Sequence, residues 1–153
     1  MITYLIAVII SIAEVVLMVD MVHLFGGYAG KVWKLLDSEG PQTENQLFEK
    51  TGLESNEFYS AIGWLAKENK ISIDDTTYVL GETNLTSKIG KDAGMVWKIL
   101  DMWGEVDVES ISRLASIEEK DAFSAIGWLA REGKIEKITV GKEKSRILFR
   151  LKY

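Results

Sequence analysis

Two segments of this chain are nearly identical and lie 64 residues apart. The segment 29–34 recurs at 93–98 with one substitution, and the heptapeptide at 60–66 recurs unchanged at 124–130. Both landmarks have the same offset, so no insertion separates them, and 19 of the 43 aligned positions from 29 to 71 are identical. A period of this length indicates a tandem duplication of one small domain.

The repeat also predicts the domain boundaries. Extending the offset towards the N-terminus aligns Met21 with Leu85 and Gly26 with Gly90. We therefore expect one module over residues 21–84, a second over 85–153, and an N-terminal extension over 1–20. The total of 153 residues suffices for two such small domains.

The hydrophobic pattern of the first module predicts three helices and a hairpin. Apolar positions at helical spacing predict a first helix over 28–38, which Gly40-Pro41 ends. Thr43 is a suitable N-cap for a second helix over 43–51. A third helix over 54–69 has Phe58, Ile62 and Leu65 on its core face. Two short strands follow, over 71–73 and 77–80, around a turn at 74–76.

The second module repeats this order. Helix one is predicted over 96–102, and Val108, Ile111 and Leu114 predict helix two. Ser116 to Glu119 fits the pattern of a capping box before helix three. Longer strands are predicted over 135–140 and 146–153. The expected fold is mainly α with small β-hairpin wings, as two tandem winged helix-turn-helix domains.

Three shared motifs carry a family resemblance. The sequence AGKVW in helix one, AIGWLA in helix three and KI at the start of the hairpin resemble a small prokaryotic winged helix-turn-helix domain family of unknown function, found in bacteria and archaea. The resemblance covers about 21–153. It implies DNA binding only by analogy of fold.

Composition excludes several classes of function. The net charge of −5 rules out a uniformly basic nucleic-acid coat, so a phosphate-binding surface must be local. One His and no Cys exclude disulfides, thiolate zinc sites and cysteine nucleophiles. We therefore expect no enzyme activity, catalytic residue, cofactor or metal. Abundant Lys and Glu without Cys is a thermophile-like bias.

The outward face of helix three is the expected site of nucleic-acid contact in this fold. In the second module this face carries Lys120, Ser124, Gly127 and Arg131, which could meet phosphates and let the backbone approach DNA closely. In the first module it carries Asn56, Ser60, Gly63 and Lys67, for which we expect a protein interface. The alternative is that both small faces pack against another helix, within the chain or in a homodimer.

The second hairpin is the other expected nucleic-acid site. Residues 134–153 have a net charge of +5, so the rest of the chain has −10. Strand alternation places Ile147, Phe149 and Leu151 on the core face and basic residues on the other. The expected phosphate contacts of the hairpin are Lys137, Lys142, Lys144, Arg146, Arg150 and Lys152. The alternative is a solvated edge strand protected by Lys and Arg.

Two further features favour protein contacts. The first hairpin carries Asp74, Asp75 and Glu82, which should repel phosphate. Trp103 replaces Glu39 of the first module at the end of helix one, so it is an expected contact between modules or with a partner.

The N-terminal extension has three interpretations. Residues 1–19 are almost wholly apolar, with Glu14 as their one charged side chain. The favoured interpretation is that translation starts at Met18 or Met21, so that residues upstream of that Met are not made. The other two are a membrane anchor and an apolar helix packed on the modules.

Together these features predict a cytoplasmic, non-enzymatic protein that binds nucleic acid or a nucleoprotein particle through its second wing and second helix three. Transcriptional regulation and attachment to RNA-containing machinery both stay open. The alternative function is a protein-interaction adaptor or assembly scaffold, with or without a membrane tether.

Overall fold

The computed structural model describes residues 2–3, 21–141 and 146–153. Most of the apolar N-terminal extension, together with Lys142 and Lys144 at the tip of the second hairpin, lies outside these residues. The three interpretations of the extension and the expected phosphate contacts of the two lysines therefore remain predictions. Among the helices that are described, none has the length and apolar character needed to cross a bilayer.

The first module has the predicted order of elements. A long first helix is followed by a short strand, two further helices and a hairpin. Their bounds are α1 Met21–Glu39, β1 Gln42–Thr43, α2 Glu44–Thr51, α3 Ser55–Lys67, β2 Ile71–Asp74 and β3 Thr77–Leu80. The strands form one antiparallel sheet in the order β1-β3-β2, with Ile71 opposite Leu80.

Local chemistry explains where these elements begin and end. The Thr43 hydroxyl accepts a hydrogen bond from the Gln46 N–H, and the Gln46 side chain accepts one from the Thr43 N–H, which completes a capping box at α2. Gly52 ends α2 in the left-handed region with φ 69°, where glycine has no steric penalty. The predicted cap at Thr43 is confirmed.

The second module repeats the plan with a longer hairpin. Its elements are α4 Thr86–Trp103, α5 Val108–Ala115, α6 Glu119–Arg131, β4 Ile135–Val140 and β5 Arg146–Leu151. Ile135 lies opposite Leu151 at the start of the second hairpin, just as the equivalent Ile71 lies opposite Leu80 in the first. An isolated bridge between Val106 and Phe149 takes the position of β1, whose Gln42 lies opposite Tyr78.

Three local predictions need correction. Both first helices are longer than predicted, because α1 starts at Met21 and α4 at Thr86. Ser116 does not cap α6; it ends α5 in the left-handed region with φ 54°, and Glu118 is the N-cap residue of α6. Leu114, one of the apolar residues that predict helix two, is exposed on α5, whereas Ile111 is fully buried.

The core runs through both modules. Equivalent positions are buried in each copy, namely Val32 and Val96 in the first helices and Ile71 and Ile135 in the first strands of the hairpins. The predicted core residues Phe58, Ile62 and Leu65 of α3 are also buried. The predicted fold class, mainly helical with antiparallel hairpins, is confirmed.

Candidate binding surfaces: helix three, the second wing and Trp103

Helices α3 and α6 pack directly against each other through their smallest residues. A methyl group placed on Gly63 would overlap the backbone carbonyl of Ser124, and one placed on Gly127 would overlap the carbonyl of Ser60. The two backbones therefore touch, which only glycine allows at these positions. The contact is reciprocal, since each glycine faces the serine of the other module.

The hydroxyls at this contact are satisfied within their own helices. Ser60 Oγ donates to the carbonyl of Asn56 at 2.8 Å, and Ser124 Oγ donates to the carbonyl of Lys120 at 3.1 Å. Neither serine leaves a buried polar group without a partner, so the contact is a packed helix interface.

Cations from each module cover the tryptophan of the other. Lys67 Nζ lies 5.0 Å from the ring centroid of Trp128, and the Arg131 guanidinium lies 5.6 Å from that of Trp64. These are cation–π distances. Arg131 also pairs with Glu68 of the first module, with Nε 3.3 Å from the carboxylate. Charged side chains thus join the C-terminal ends of α3 and α6.

This packing corrects the expected role of helix three. Ser124 is only 7% exposed, so it cannot enter a DNA groove while α3 and α6 stay packed, whereas the Arg131 side chain is 46% exposed although it pairs with Glu68. Ser60, Gly63 and Lys67 also lie at this contact. Of the two interpretations of the small faces, the structure shows packing of one helix against another within the chain.

The two other residues predicted on these faces have different surroundings. Lys120 is exposed and pairs with Glu118 at 3.6 Å. Asn56 is half-buried and lines a cleft between the modules. On the second helix-three face, Lys120 and Arg131 are therefore accessible, and their phosphate contacts remain a prediction.

The arginines of the second wing are held by carboxylates at the start of α5 and on β4. Arg146 pairs with Asp107 at 2.5 Å, and Arg150 pairs with Glu105 at 3.2 Å and Glu136 at 3.0 Å. The Arg146 hydrogen bond, helped by those from Ser110, lowers the pKa of Asp107 to about 2. The Glu136 hydrogen bond is the main reason that the pKa of Arg150 is raised.

The second hairpin follows the predicted alternation only near its base. Phe149 and Leu151 are buried, but Ile147 is 40% exposed because the hairpin extends there beyond the core of its module. Lys137 also differs from the expected exposed cation, because it is half-buried in the cleft between the modules. Lys152 is exposed, as a phosphate contact requires.

Trp103 lies at the exposed end of α4. It is 62% exposed and its neighbour Met102 is 77% exposed. By contrast, Trp64 and Trp128 pack against glycines of the first helices, with Trp64 3.5 Å from a methyl group placed on Gly26. Trp103 is thus presented to solvent rather than to the other module.

Sequence reasoning missed two features of these surfaces. The carboxylates of Glu105 and Asp107 precede α5 and are distant in sequence from the arginines they pair with, so no local pattern reveals the pairing. The cleft that holds Asn56 and Lys137 depends on how the modules pack. Within the described part of the chain, no group of acidic or histidine side chains could hold a metal ion.

The fold and the duplicated helix-turn-helix units define a tandem winged-helix protein. The family model described as Winged helix-turn-helix domain (DUF2582) matches residues 18–80 and 84–151, so the chain belongs to this family as a tandem pair. No curated protein matches the chain. A solved structure of the mRNA-binding domain of elongation factor SelB from E. coli, in complex with SECIS RNA, is similar at 14% identity and a TM-score of 0.33, over 82% of this chain and 98% of that one.

Proposed function

We propose that this protein is a non-enzymatic binder of nucleic acid or of a nucleoprotein particle, and that it binds phosphates through the second wing. The observation that carries the proposal is the concentration of positive charge on residues 134–153 of an otherwise acidic chain. Winged helices commonly bind nucleic acid, and basic side chains that meet phosphates supply most of the non-specific affinity.

The ion pairs of the wing do not prevent this role. The side chains of Arg146 and Arg150 are 65% and 37% exposed. Surface ion pairs contribute only about 0–1 kcal/mol, so a phosphate can replace a carboxylate partner. Meanwhile the carboxylates hold the guanidinium groups on the wing, where two N–H donors could bind one phosphate.

Packing of α3 on α6 restricts the mode of binding. Because the small residues of both helix-three faces are packed within the chain, neither α3 nor α6 can enter a major groove along that face. Binding should therefore depend on the phosphate backbone and the shape of the nucleic acid, and it should discriminate little between nucleotide sequences. This differs from the sequence-based hypothesis, in which the second helix three binds nucleic acid together with the second wing.

Fluorescence anisotropy of the full chain with labelled duplex DNA and structured RNA tests the proposal. Binding should weaken steeply between about 50 and 200 mM salt. The double substitution Arg146→Ala/Arg150→Ala should weaken it about tenfold or more, because a hydrogen bond to a charged group contributes about 1.5–3 kcal/mol. Lys31→Ala/Lys98→Ala is the matched control, since it removes two exposed helical charges outside the wing.

Absence of binding at the lowest salt concentration would refute the proposal. Equal losses of nucleic-acid affinity in the wing variant and in the control would show that binding depends only on the net charge of the protein. A marked preference for one DNA sequence would instead require α3 and α6 to separate.

A second candidate function is that of a protein-interaction adaptor. The specific observation is the exposed pair of Met102 and Trp103 at the end of α4, since an exposed Trp beside a large apolar residue is typical of binding hot spots. Such binding should survive high salt and be lost in Trp103→Glu, the residue found at the equivalent place in the first module. Pull-down at high salt with both forms separates the two functions.

A further inference from the structure

The cleft between the modules contains residues that the proposed function does not use, although Arg146 and its partner Asp107 also line it. It has a volume of about 320 Å³ and lies between α1 and α3 of the first module and the start of α5, α6 and the wing of the second. Pockets that bind small molecules have volumes of about 300–1,000 Å³. The cleft is thus at the small end of this range, which suits a ligand of amino-acid size.

One part of the cleft wall is aromatic. Phe25 from α1, Phe123 from α6 and Phe149 from β5 all line it. Phe25 and Phe149 are held by the cores of their own modules, each being less than 5% exposed. This wall can bury an apolar group of a ligand without rearranging, because its rings are already fixed.

Lys137 supplies a positive charge to the cleft. Its side chain is half-buried, and burial lowers the pKa of its ammonium group, although the charge of Glu57 acts in the opposite direction. Among the residues that the structure describes, none forms a hydrogen bond or ion pair with the Lys137 side chain. A desolvated ammonium without a partner gains strongly from an anionic ligand group.

Glu57 supplies the opposite charge. Its carboxylate accepts a hydrogen bond from the Tyr28 hydroxyl, and burial, reinforced by this bond, raises the pKa of Tyr28 to about 12. Glu57 Oε1 also accepts a hydrogen bond from the Glu54 N–H at 2.9 Å, and the carboxylate keeps acceptor capacity for a further donor. The Glu57 carboxylate and the Lys137 ammonium attract each other but form no ion pair, so the cleft separates two opposite charges.

We propose that the cleft binds a small zwitterion with an apolar side group, the chemical class of the apolar α-amino acids. The ligand carboxylate would accept hydrogen bonds from Lys137, and its ammonium group would donate to Glu57. The side group would pack against Phe25, Phe123 and Phe149. Both charges of the ligand are then paired, and its apolar part is removed from water.

The positions that correspond to the cleft residues by the 64-residue repeat show what an internally satisfied arrangement looks like. Ile73 stands where the second module has Lys137. Asp92 stands at the position of Tyr28, and Lys88 bonds it at 2.5 Å and also pairs with Asp121, the equivalent of Glu57, at 3.5 Å. The charges there are paired within the protein. The lysine without a partner on the wing is thus a property of the second module.

Titration of the full ¹⁵N-labelled chain with L-phenylalanine, L-leucine and L-methionine, followed by NMR and calorimetry, tests this inference. At least one should bind saturably with a Kd of about 1 mM or tighter. The amide signals of residues lining the cleft should shift most. For L-phenylalanine, removal of the ammonium group (3-phenylpropionate) or of the carboxylate (2-phenylethylamine) should weaken binding about tenfold, as expected for loss of one charged pair.

Three variants locate the binding. Lys137→Ile restores the residue of the first module and should weaken binding about tenfold or more, and Glu57→Gln should do the same for zwitterions but not for 3-phenylpropionate. Lys91→Ala, an exposed lysine outside the cleft, is the matched control. Thermal unfolding checks that each variant is folded.

Three outcomes would overturn the inference. The first is that none of the three amino acids binds. The second is binding that is equally tight in Lys137→Ile. The third is binding of 3-phenylpropionate as tight as that of L-phenylalanine, which would exclude a zwitterion. None of these results bears on nucleic-acid binding, since the proposal does not depend on it.

Discussion

The contact between α3 and α6 is built from residues that the two modules share, whereas the wings are built from residues that differ. The shared heptapeptides at 60–66 and 124–130 lie at this contact and in the core beneath it. The first wing has four-residue strands and two aspartates, while the second has six-residue strands within residues 134–153, which hold seven of the 18 Lys and Arg residues. The duplicated residues thus hold the modules together, and the divergent ones give each module its own surface.

The largest effect should come from adding a methyl group at the shared contact. Gly63→Ala or Gly127→Ala would force a carbon into a backbone carbonyl, and we expect a loss of about 3 kcal/mol in the free energy of unfolding, near the upper end for overpacking. Urea denaturation followed by tryptophan fluorescence measures this loss.

Gly30→Ala and Gly94→Ala are the matched controls for that prediction. They lie within helices and have no atom near the added carbon, so they should stabilise by about 0.5–1 kcal/mol. If Gly63→Ala were stabilising as well, the helices would not be in backbone contact.

The second-largest effect is a loss of stability at acidic pH, which should differ between the modules because α2 and α5 have different N-cap residues. Asp107 caps α5 with a pKa lowered to about 2, whereas the equivalent Thr43 does not titrate. A group whose pKa is lowered by folding stabilises the protein above its unfolded pKa, about 3.9, and this stabilisation is lost as the pH falls towards 2. The second module should therefore lose stability in this window, and Asp107→Thr should reduce that loss.

NMR titration of the carboxyl carbon gives a direct measurement. In Arg146→Ala the pKa of Asp107 should rise, because Arg146 provides the largest contribution to lowering it, but it should stay below the ordinary value since Ser110 still donates. A pKa unchanged by Arg146→Ala would show that the ion pair does not form in solution.

A smaller effect is expected from neutralising the first wing. Asp74→Asn/Asp75→Asn should change nucleic-acid affinity less than about threefold if binding uses the second wing alone. Asn is chosen because residue 75 has a φ of 55°, which Asn tolerates. An increase in affinity of tenfold in the anisotropy titration would mean that the first wing also approaches phosphates.

The smallest effect on stability is expected at Trp103. Because this side chain is mostly exposed, Trp103→Glu should change the free energy of unfolding by less than about 0.5 kcal/mol. A loss above 2 kcal/mol on thermal or urea unfolding would place Trp103 in a packed contact and remove the argument for a partner surface there.

Local sequence predicted most of the elements but less well their ends. The Thr43 cap follows from side-chain chemistry within four residues, so it is visible in sequence. Ser116 has the same pattern of neighbours, yet it ends α5 in the left-handed region. Ile147 satisfies strand alternation but is exposed, because alternation predicts which residues share a face and not how far the core extends.

The candidate sites depended far more on tertiary contacts. Charge alone identifies Arg146 and Arg150 as candidates, but not their partners Asp107 and Glu105, which lie 39 and 45 residues away. Lys137 was predicted as one more exposed cation of the wing. Only the packing of the two modules places it in a cleft that Glu57 also lines.

The amino-acid sequence by itself determined the duplication, the winged-helix plan of each module and the basic character of the second wing. These features follow from periodicity and charge, which are properties of the chain read in order. The tertiary structure decided what covers helix three. Glycine and serine on a helix face allow close approach of either DNA or another helix, and only the second copy of the same face, packed against the first, distinguishes the two.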